Sequence, residues 1–147
     1  MVEIGAGLCD IIGRVNARTR IGLDMDDKVL KAARHLVPRD VQLATANFLD
    51  AQSVIAALHS TGIKAIDCLI LVNWIHMIGM DEIEAVLRRV SDEVPIRHVL
   101  FDTIKTGTSG YRHHHSAADF ERLGKIIETR AGDEVRDLVL VEMTLPA

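Results

Sequence analysis

Short β-rich runs alternate with helical patterns along this chain, and that alternation restricts its fold more than any other feature. VEIGA (2–6) is followed by CDIIGRVNA (9–17), RIGLDMD (20–26) by DDKVLKAARHLV (26–37), and VQLATANF (41–48) by SVIAALHSTG (53–62). AIDCLILV (65–72) precedes MDEIEAVLRRVSDEV (80–94), and HVLFDTI (98–104) precedes a polar loop, KTGTSGYRHHH, and a short helix from Ser116 to Leu123. The first member of each pair reads as a strand and the second as a helix. In the second helix Val29, Leu30, Ala33, Leu36 and Val37 recur at the spacing of one helix face, and Pro38 ends it. Asp26, Ser53 and Asp81 are the expected N-caps, with Glu84 three residues after Asp81. Gly62 and Gly124 are placed to close helices. The remaining segment, KIIETRAGDEVRDLVLVEMTL (125–145), divides into two β-rich runs around Gly132-Asp133, the pattern of an antiparallel hairpin.

Five such units and a hairpin imply an α/β fold: a three-layer, Rossmann-like, seven-stranded and mostly parallel sheet with a C-terminal antiparallel hairpin. AIDCLILV is the most apolar run, as expected of a central strand buried on both faces. At 147 residues the chain is expected to form a single domain, 1–147. With 48% hydrophobic and 26% charged residues it has the balance of a soluble globular chain. A net charge of -4 gives no broad attraction for nucleic acid or an anionic membrane, so neither is an expected partner. No apolar run approaches the ~20 residues of a membrane span. The N-terminus lacks the basic and apolar regions of a secretory leader. Cys9 and Cys68 lack metal-type spacing and read as buried free thiols in a reducing cytoplasm, the expected location.

In parallel sheets of this kind a ligand sits beyond the carboxyl ends of the strands, where the strand order reverses. Glu3-Ile4-Gly5-Ala6-Gly7 lies at such an end, where glycines let the backbone approach a ligand closely. Alone, the two glycines fit a bare tight turn equally well. A dinucleotide site needs a third glycine at position 10, before a helix whose N-terminus meets pyrophosphate. That position holds Asp10, whose charge would oppose the phosphates, so an NAD-dependent oxidoreductase is the weaker alternative. A cationic or zwitterionic nucleoside would suit Glu3 and Asp10 better. Asp10 could equally cap the first helix.

With these residues the chain resembles the class I S-adenosylmethionine-dependent methyltransferases. Glu3-Ile-Gly-Ala-Gly is similar to that family's first motif. The resemblance implies that Gly5, Ala6 and Gly7 pack against the methionine part of the cofactor and that Glu3 helps hold its ammonium group. The family's third glycine falls at position 9, where this chain has the small residue Cys9. GLDMD (22–26) resembles the end of the second strand, which implies that Asp24 binds both ribose hydroxyls and that Met25 lies against the adenine face. ANFLD (46–50) resembles the motif after the third strand. It implies that Asn47 accepts from the adenine amino group and that the Phe48 backbone donates to the ring, with Asp50 as a second choice of acceptor. IDCLILVNWIHMIG resembles the fourth-strand motif, with Asp67 opening the strand and Asn73-Trp74 at its cofactor side. The hairpin resembles the sixth and seventh strands, the last inserting antiparallel between the fifth and sixth.

The resemblance covers essentially the whole chain and implies S-adenosylmethionine as cofactor, S-adenosylhomocysteine as product and a small-molecule methyl acceptor. The family's members usually carry helices before the first strand, whereas here Met1 directly precedes it. An open cleft is therefore expected, covered by a second copy in a homodimer, and a noncatalytic or truncated cofactor-binding module is the alternative to an enzyme. No residue is assigned as catalytic. Histidine suits a base near neutral pH, which makes His76, His113, His114 and His115 candidates. For His76 a packed pocket-wall role is favoured. Trp74 either stacks on an acceptor or fills the core. Tyr111 and Arg112 read as loop residues. Adjacent histidines seldom point to one centre, and no metal is expected.

Overall fold

The computed structural model describes residues 1–144. Its strands are β1 (Val2–Ile4), β2 (Arg20–Asp24), β3 (Val41–Thr45), β4 (Ile66–Leu71), β5 (Ile96–Asp102), β6 (Gly124–Ala131) and β7 (Asp137–Met143). Its helices are α1 (Asp27–Ala33), α2 (Ala51–Ser60), α3 (Met80–Glu93) and α4 (Ala117–Phe120), with a 3₁₀ turn at Ile75–Met77. The strands form one sheet in the order β3-β2-β1-β4-β5-β7-β6. β1 to β5 pair in parallel, and β7 runs antiparallel between β5 and β6. The order reverses between β1 and β4, which places the ends of β1, β2 and β4 around one crevice.

Alternation along the strands builds two apolar layers. Val2, Ile4, Leu69, Leu71, Val99 and Phe101 face α2, α3 and α4, joining Val54, Leu58, Ile83, Leu87 and Phe120. Ile70 and Val72 face the other way, onto Cys9, Ile12 and Ala33. β4 is thus buried on both faces, with Leu69, Ile70 and Leu71 each at most 1% exposed. The second layer is thin: it consists of α1 and the segment after β1.

That segment corrects the sequence reading. Residues 7–14 form turns, not the expected helix over 9–17. Gly5, Gly7 and Cys9 all take positive φ (72°, 52° and 65°), which ends β1 and interrupts any helix through residue 9. Cys9 so adopts the conformation that a glycine would take most readily. Its burial is bought by Gly22 on β2, where a Cβ would lie 3.0 Å from the Cys9 sulfur.

The helix caps also differ in part. Asp26 caps α1, accepting from the Lys28 and Val29 amides. α2 is capped by Asp50, not Ser53; Asp50 Oδ1 accepts from the Gln52 and Ser53 amides, and Ser53 Oγ accepts from Asn47 N instead. α3 begins after Gly79, whose amide donates to Glu82, while the expected Glu84 pairs with Arg88 and Arg122. Gly124 opens β6 and does not close a helix; a Cβ there would collide with the Glu142 carbonyl. β5 starts two residues earlier than expected because the Ile66 amide donates to the Pro95 carbonyl and starts the ladder there. Of the hairpin, Leu145 lies outside the described residues.

Replacing the cap that the structure identifies is the informative test. Asp50→Ala should cost about 1 kcal/mol in urea unfolding, the usual cost of an N-cap, and Ser53→Ala clearly less.

Candidate functional site

Four hydrogen bonds, made by three side chains, shape the turn after β1. Gly7 N donates to Asp24 Oδ2 at 2.8 Å, and Asp26 N donates to Asp24 Oδ1 at 2.9 Å. The Asp24 carboxylate thereby ties the glycine turn to the start of α1, with lone pairs left over for further donors. From beneath, Glu3 Oε2 accepts from Ile12 N at 2.9 Å. From above, the Trp74 indole N–H donates to the Ile4 carbonyl at 2.7 Å.

Beside this turn lies a cavity of about 280 Å³. Ile4, Gly5, Asp24, Met25, Ala46, Asn47, Phe48, Leu49, Trp74 and Ile78 line it. β1, β2 and β3 each deliver a strand end to this cavity, and the segment after β4 brings Trp74 and Ile78. Of the residues singled out in the sequence, Gly5, Asp24, Met25, Asn47 and Phe48 are therefore brought together on one cavity. Asn47 Oδ1 already accepts from Leu49 N at 3.2 Å, which fixes the side chain within its turn. Phe48 is 5% exposed and meets Trp74 edge-on, their centroids 5.1 Å apart.

The other predicted residues lie elsewhere. Glu3 is 5% exposed and does not line the cavity. Burial pushes its carboxyl pKa up to about 7, against the opposing Ile12 hydrogen bond, and the charges of Asp10 and Asp24 push the same way. Ala6 is buried and donates its amide to Leu23 O, and Gly7 acts through the Asp24 contact. Asn73, at φ 74°, donates its amide to Asp102, and its Oδ1 accepts from Arg136 Nη1. With Ile11, Val72 and Asp133 these three residues border a separate cavity of about 280 Å³ beyond β4 and β5.

The candidate bases are likewise off the first cavity. His76 is fully buried, with Nε2 3.2 Å from Asp102 Oδ1 and its ring edge-on to Tyr111. The three adjacent histidines part company: His114 meets Thr108 O, His115 meets Ile78 O, and His113 stacks on His115. Burial lowers the His115 pKa, favouring the neutral ring. Burial also pushes the Cys9 thiol up to about 11, so it is not a nucleophile near neutrality. Sequence reasoning missed Ile4, Ala46, Leu49 and Ile78 as cavity walls, and passed over Asp102 as the residue pinning Asn73. An acidic residue ending β5 before a polar loop was the available signal for Asp102.

No protein-family model matches this sequence, and no curated protein matches it. Solved structures do. An S-adenosylmethionine-dependent methyltransferase from Anabaena variabilis superposes with a TM-score of 0.73 at 11% identity, over 97% of this chain and 76% of that one. A magnesium protoporphyrin IX methyltransferase from Synechocystis, solved with bound S-adenosylhomocysteine, gives 0.69 at 11% identity, over 97% and 73%. The fold is a methyltransferase fold. LepI in complex with S-adenosylmethionine has it too, with a TM-score of 0.69 at 11% identity; this chain spans 42% of LepI. The seven-stranded sheet with β7 inserted antiparallel between β5 and β6 is this chain's form of that fold.

Glu3 gives a test of the turn's electrostatics. A carboxyl whose pKa rises from 4.5 to about 7 on folding keeps a proton that the unfolded chain has already released. Its contribution to stability therefore falls as pH rises through that window, by roughly 3 kcal/mol in all. Glu3→Gln, which keeps an oxygen for Ile12, should overtake the wild type in urea stability as pH rises from 5 to 8. A pH-independent difference would contradict the buried, protonated carboxyl.

Proposed function

We propose that this chain binds S-adenosylmethionine at the crevice cavity and transfers its methyl group to a small-molecule acceptor. One observation carries the reading: Asp24, Met25, Asn47 and Phe48, from the ends of β2 and β3, converge with Gly5 on one largely apolar cavity. The donor set suits an adenosyl nucleoside. Asp24 has acceptor capacity for two ribose hydroxyls, Asn47 Oδ1 for the adenine amino group, and Met25 supplies an apolar face. The Phe48 amide is the proposed donor to the ring. Gly5, Ala6 and Gly7 keep the turn low, and Glu3 and Asn73 act in this reading as positioning residues behind it.

The bound cofactor supplies an electrophilic methyl carbon, and transfer is an in-line displacement. The protein's part is then chiefly to align donor and acceptor and to exclude water. No histidine lines the cavity among the described residues. That observation favours the second reading, a noncatalytic cofactor-binding module of the same fold. The nicotinamide alternative loses further ground, because turns follow Gly7 where a pyrophosphate would need a helix N-terminus. No helix among the described residues is long and apolar enough to cross a membrane, and the free cysteines support the cytoplasm as the location. Met25 and Leu49, 70% and 53% exposed at the cavity mouth, are where a second copy would cover it; sedimentation tests that homodimer.

Titration calorimetry with S-adenosylmethionine, S-adenosylhomocysteine and NADH tests the reading. Binding of the adenosyl compounds with methyl transfer to an acceptor supports it, binding without transfer favours the module, and tighter NADH binding overturns both. Asp24→Ala should weaken S-adenosylhomocysteine binding by about 1.5–3 kcal/mol, the scale of a lost charged hydrogen bond. Asp24→Asn, which keeps one acceptor for the Gly7 amide, should lose less.

A further inference from the structure

Trp74 is the single tryptophan of the chain, and its ring lies directly on the glycine turn. A Cβ built on Gly5 would sit 2.1 Å from Trp74 Nε1 and 2.5 Å from Cδ1. The room left by a glycine at φ 72° is thus filled by the indole, whose N–H also occupies the Ile4 carbonyl at 2.7 Å. Phe48 braces the ring edge-on. Two nearby polar side chains are engaged as well: Glu3 is buried against the Ile12 amide, and Asn73 is held by Arg136. Elsewhere along the lining, Met25 and Asn47 are exposed and Asp24 is half-buried. Among the described residues Asp24 is the one charged side chain lining the cavity, and no lysine or arginine there meets a ligand carboxylate. Moving an ammonium and a carboxylate into apolar surroundings without partners is strongly unfavourable.

We propose that Trp74 sets the ligand selectivity of this cavity. With the indole on Gly5, the cavity takes neutral 5′-thioether nucleosides, of which 5′-deoxy-5′-methylthioadenosine is the probe. Adenosyl compounds that carry an amino-acid tail enter only when the ring leaves Gly5. Methyl donation by S-adenosylmethionine requires the same displacement. This inference rests on the nucleoside reading of the cavity given above.

Calorimetry and the emission of the single tryptophan test it together. The wild type should bind 5′-deoxy-5′-methylthioadenosine about tenfold or more tightly than S-adenosylhomocysteine. S-adenosylhomocysteine should shift the Trp74 emission to the red as the ring leaves its niche, and the truncated nucleoside should not. Trp74→Ala should bring the two affinities within about threefold, chiefly by tightening S-adenosylhomocysteine. Trp74→Phe, which keeps an apolar cover without the N–H, should fall between. Equal affinities in the wild type, or a preference unchanged in both folded variants, overturns the role of Trp74. Binding of neither compound to the wild type overturns the nucleoside reading itself. The wild-type ratio and emission stand even where Trp74→Ala does not fold.

Discussion

The left-handed turn through Gly5, Gly7 and Cys9 is the constraint on which the site depends. Three successive departures from right-handed backbone end β1 and turn the chain away from the sheet before any helix forms. Such a turn has little stability of its own. It is held by three side chains: Asp24 on the Gly7 amide and Trp74 on the Ile4 carbonyl, both from later in the sequence, and Glu3 of β1 itself on the Ile12 amide. Glu3 and Asp24 come from β1 and the end of β2, and Trp74 from the segment that follows β4. The sheet order therefore comes first, and the shape of the crevice follows from it.

Electrostatics at the crevice are set by scarcity. Among the described residues Asp24 is the one charged side chain lining the cavity, and Glu3 lies beneath the turn with its carboxyl pKa raised by burial to about 7. Apolar walls supply area for a flat aromatic ligand, while Asp24 and Asn47 supply direction. The polar groups beyond β4, namely Asn73, Asp102 and Arg136, are instead bonded to one another. Their network fixes the strained backbone at Asn73 and hence the place where Trp74 begins.

Much of this was legible in the sequence, because strands announce themselves locally. The apolar run around Leu69–Leu71 gave the central strand, and the alternation of units gave a parallel sheet with an antiparallel end. The places of Asp24 and Asn47 were legible because Asp24 ends β2 and Asn47 lies two residues beyond β3, so their positions depend on short-range order. The first helix was misread since Ile11, Ile12 and Val15 carry a helix-like pattern that the backbone at Cys9 interrupts. The absence of a side chain at Gly22 on β2 leaves the space beside the Cys9 sulfur, a tertiary contact that local pattern does not reveal. Both Asp50 and Ser53 are good cap residues three positions apart; Asp50 takes the cap, while Ser53 Oγ accepts from the Asn47 amide instead. Trp74 could be placed at the cofactor side but not on Gly5, and Ile78 not as a cavity wall, since tertiary structure alone brings them there.

The central claim is that the crevice at the ends of β1, β2 and β3 holds an adenosyl nucleoside. Amide NMR spectra recorded during titration with S-adenosylhomocysteine test it most directly, because they locate weak as well as tight binding. The account predicts saturable shifts at residues 5–7, 24–25 and 46–49. An absence of saturable shifts, or shifts confined to the cavity around Asp102, Asp133 and Arg136, would contradict it.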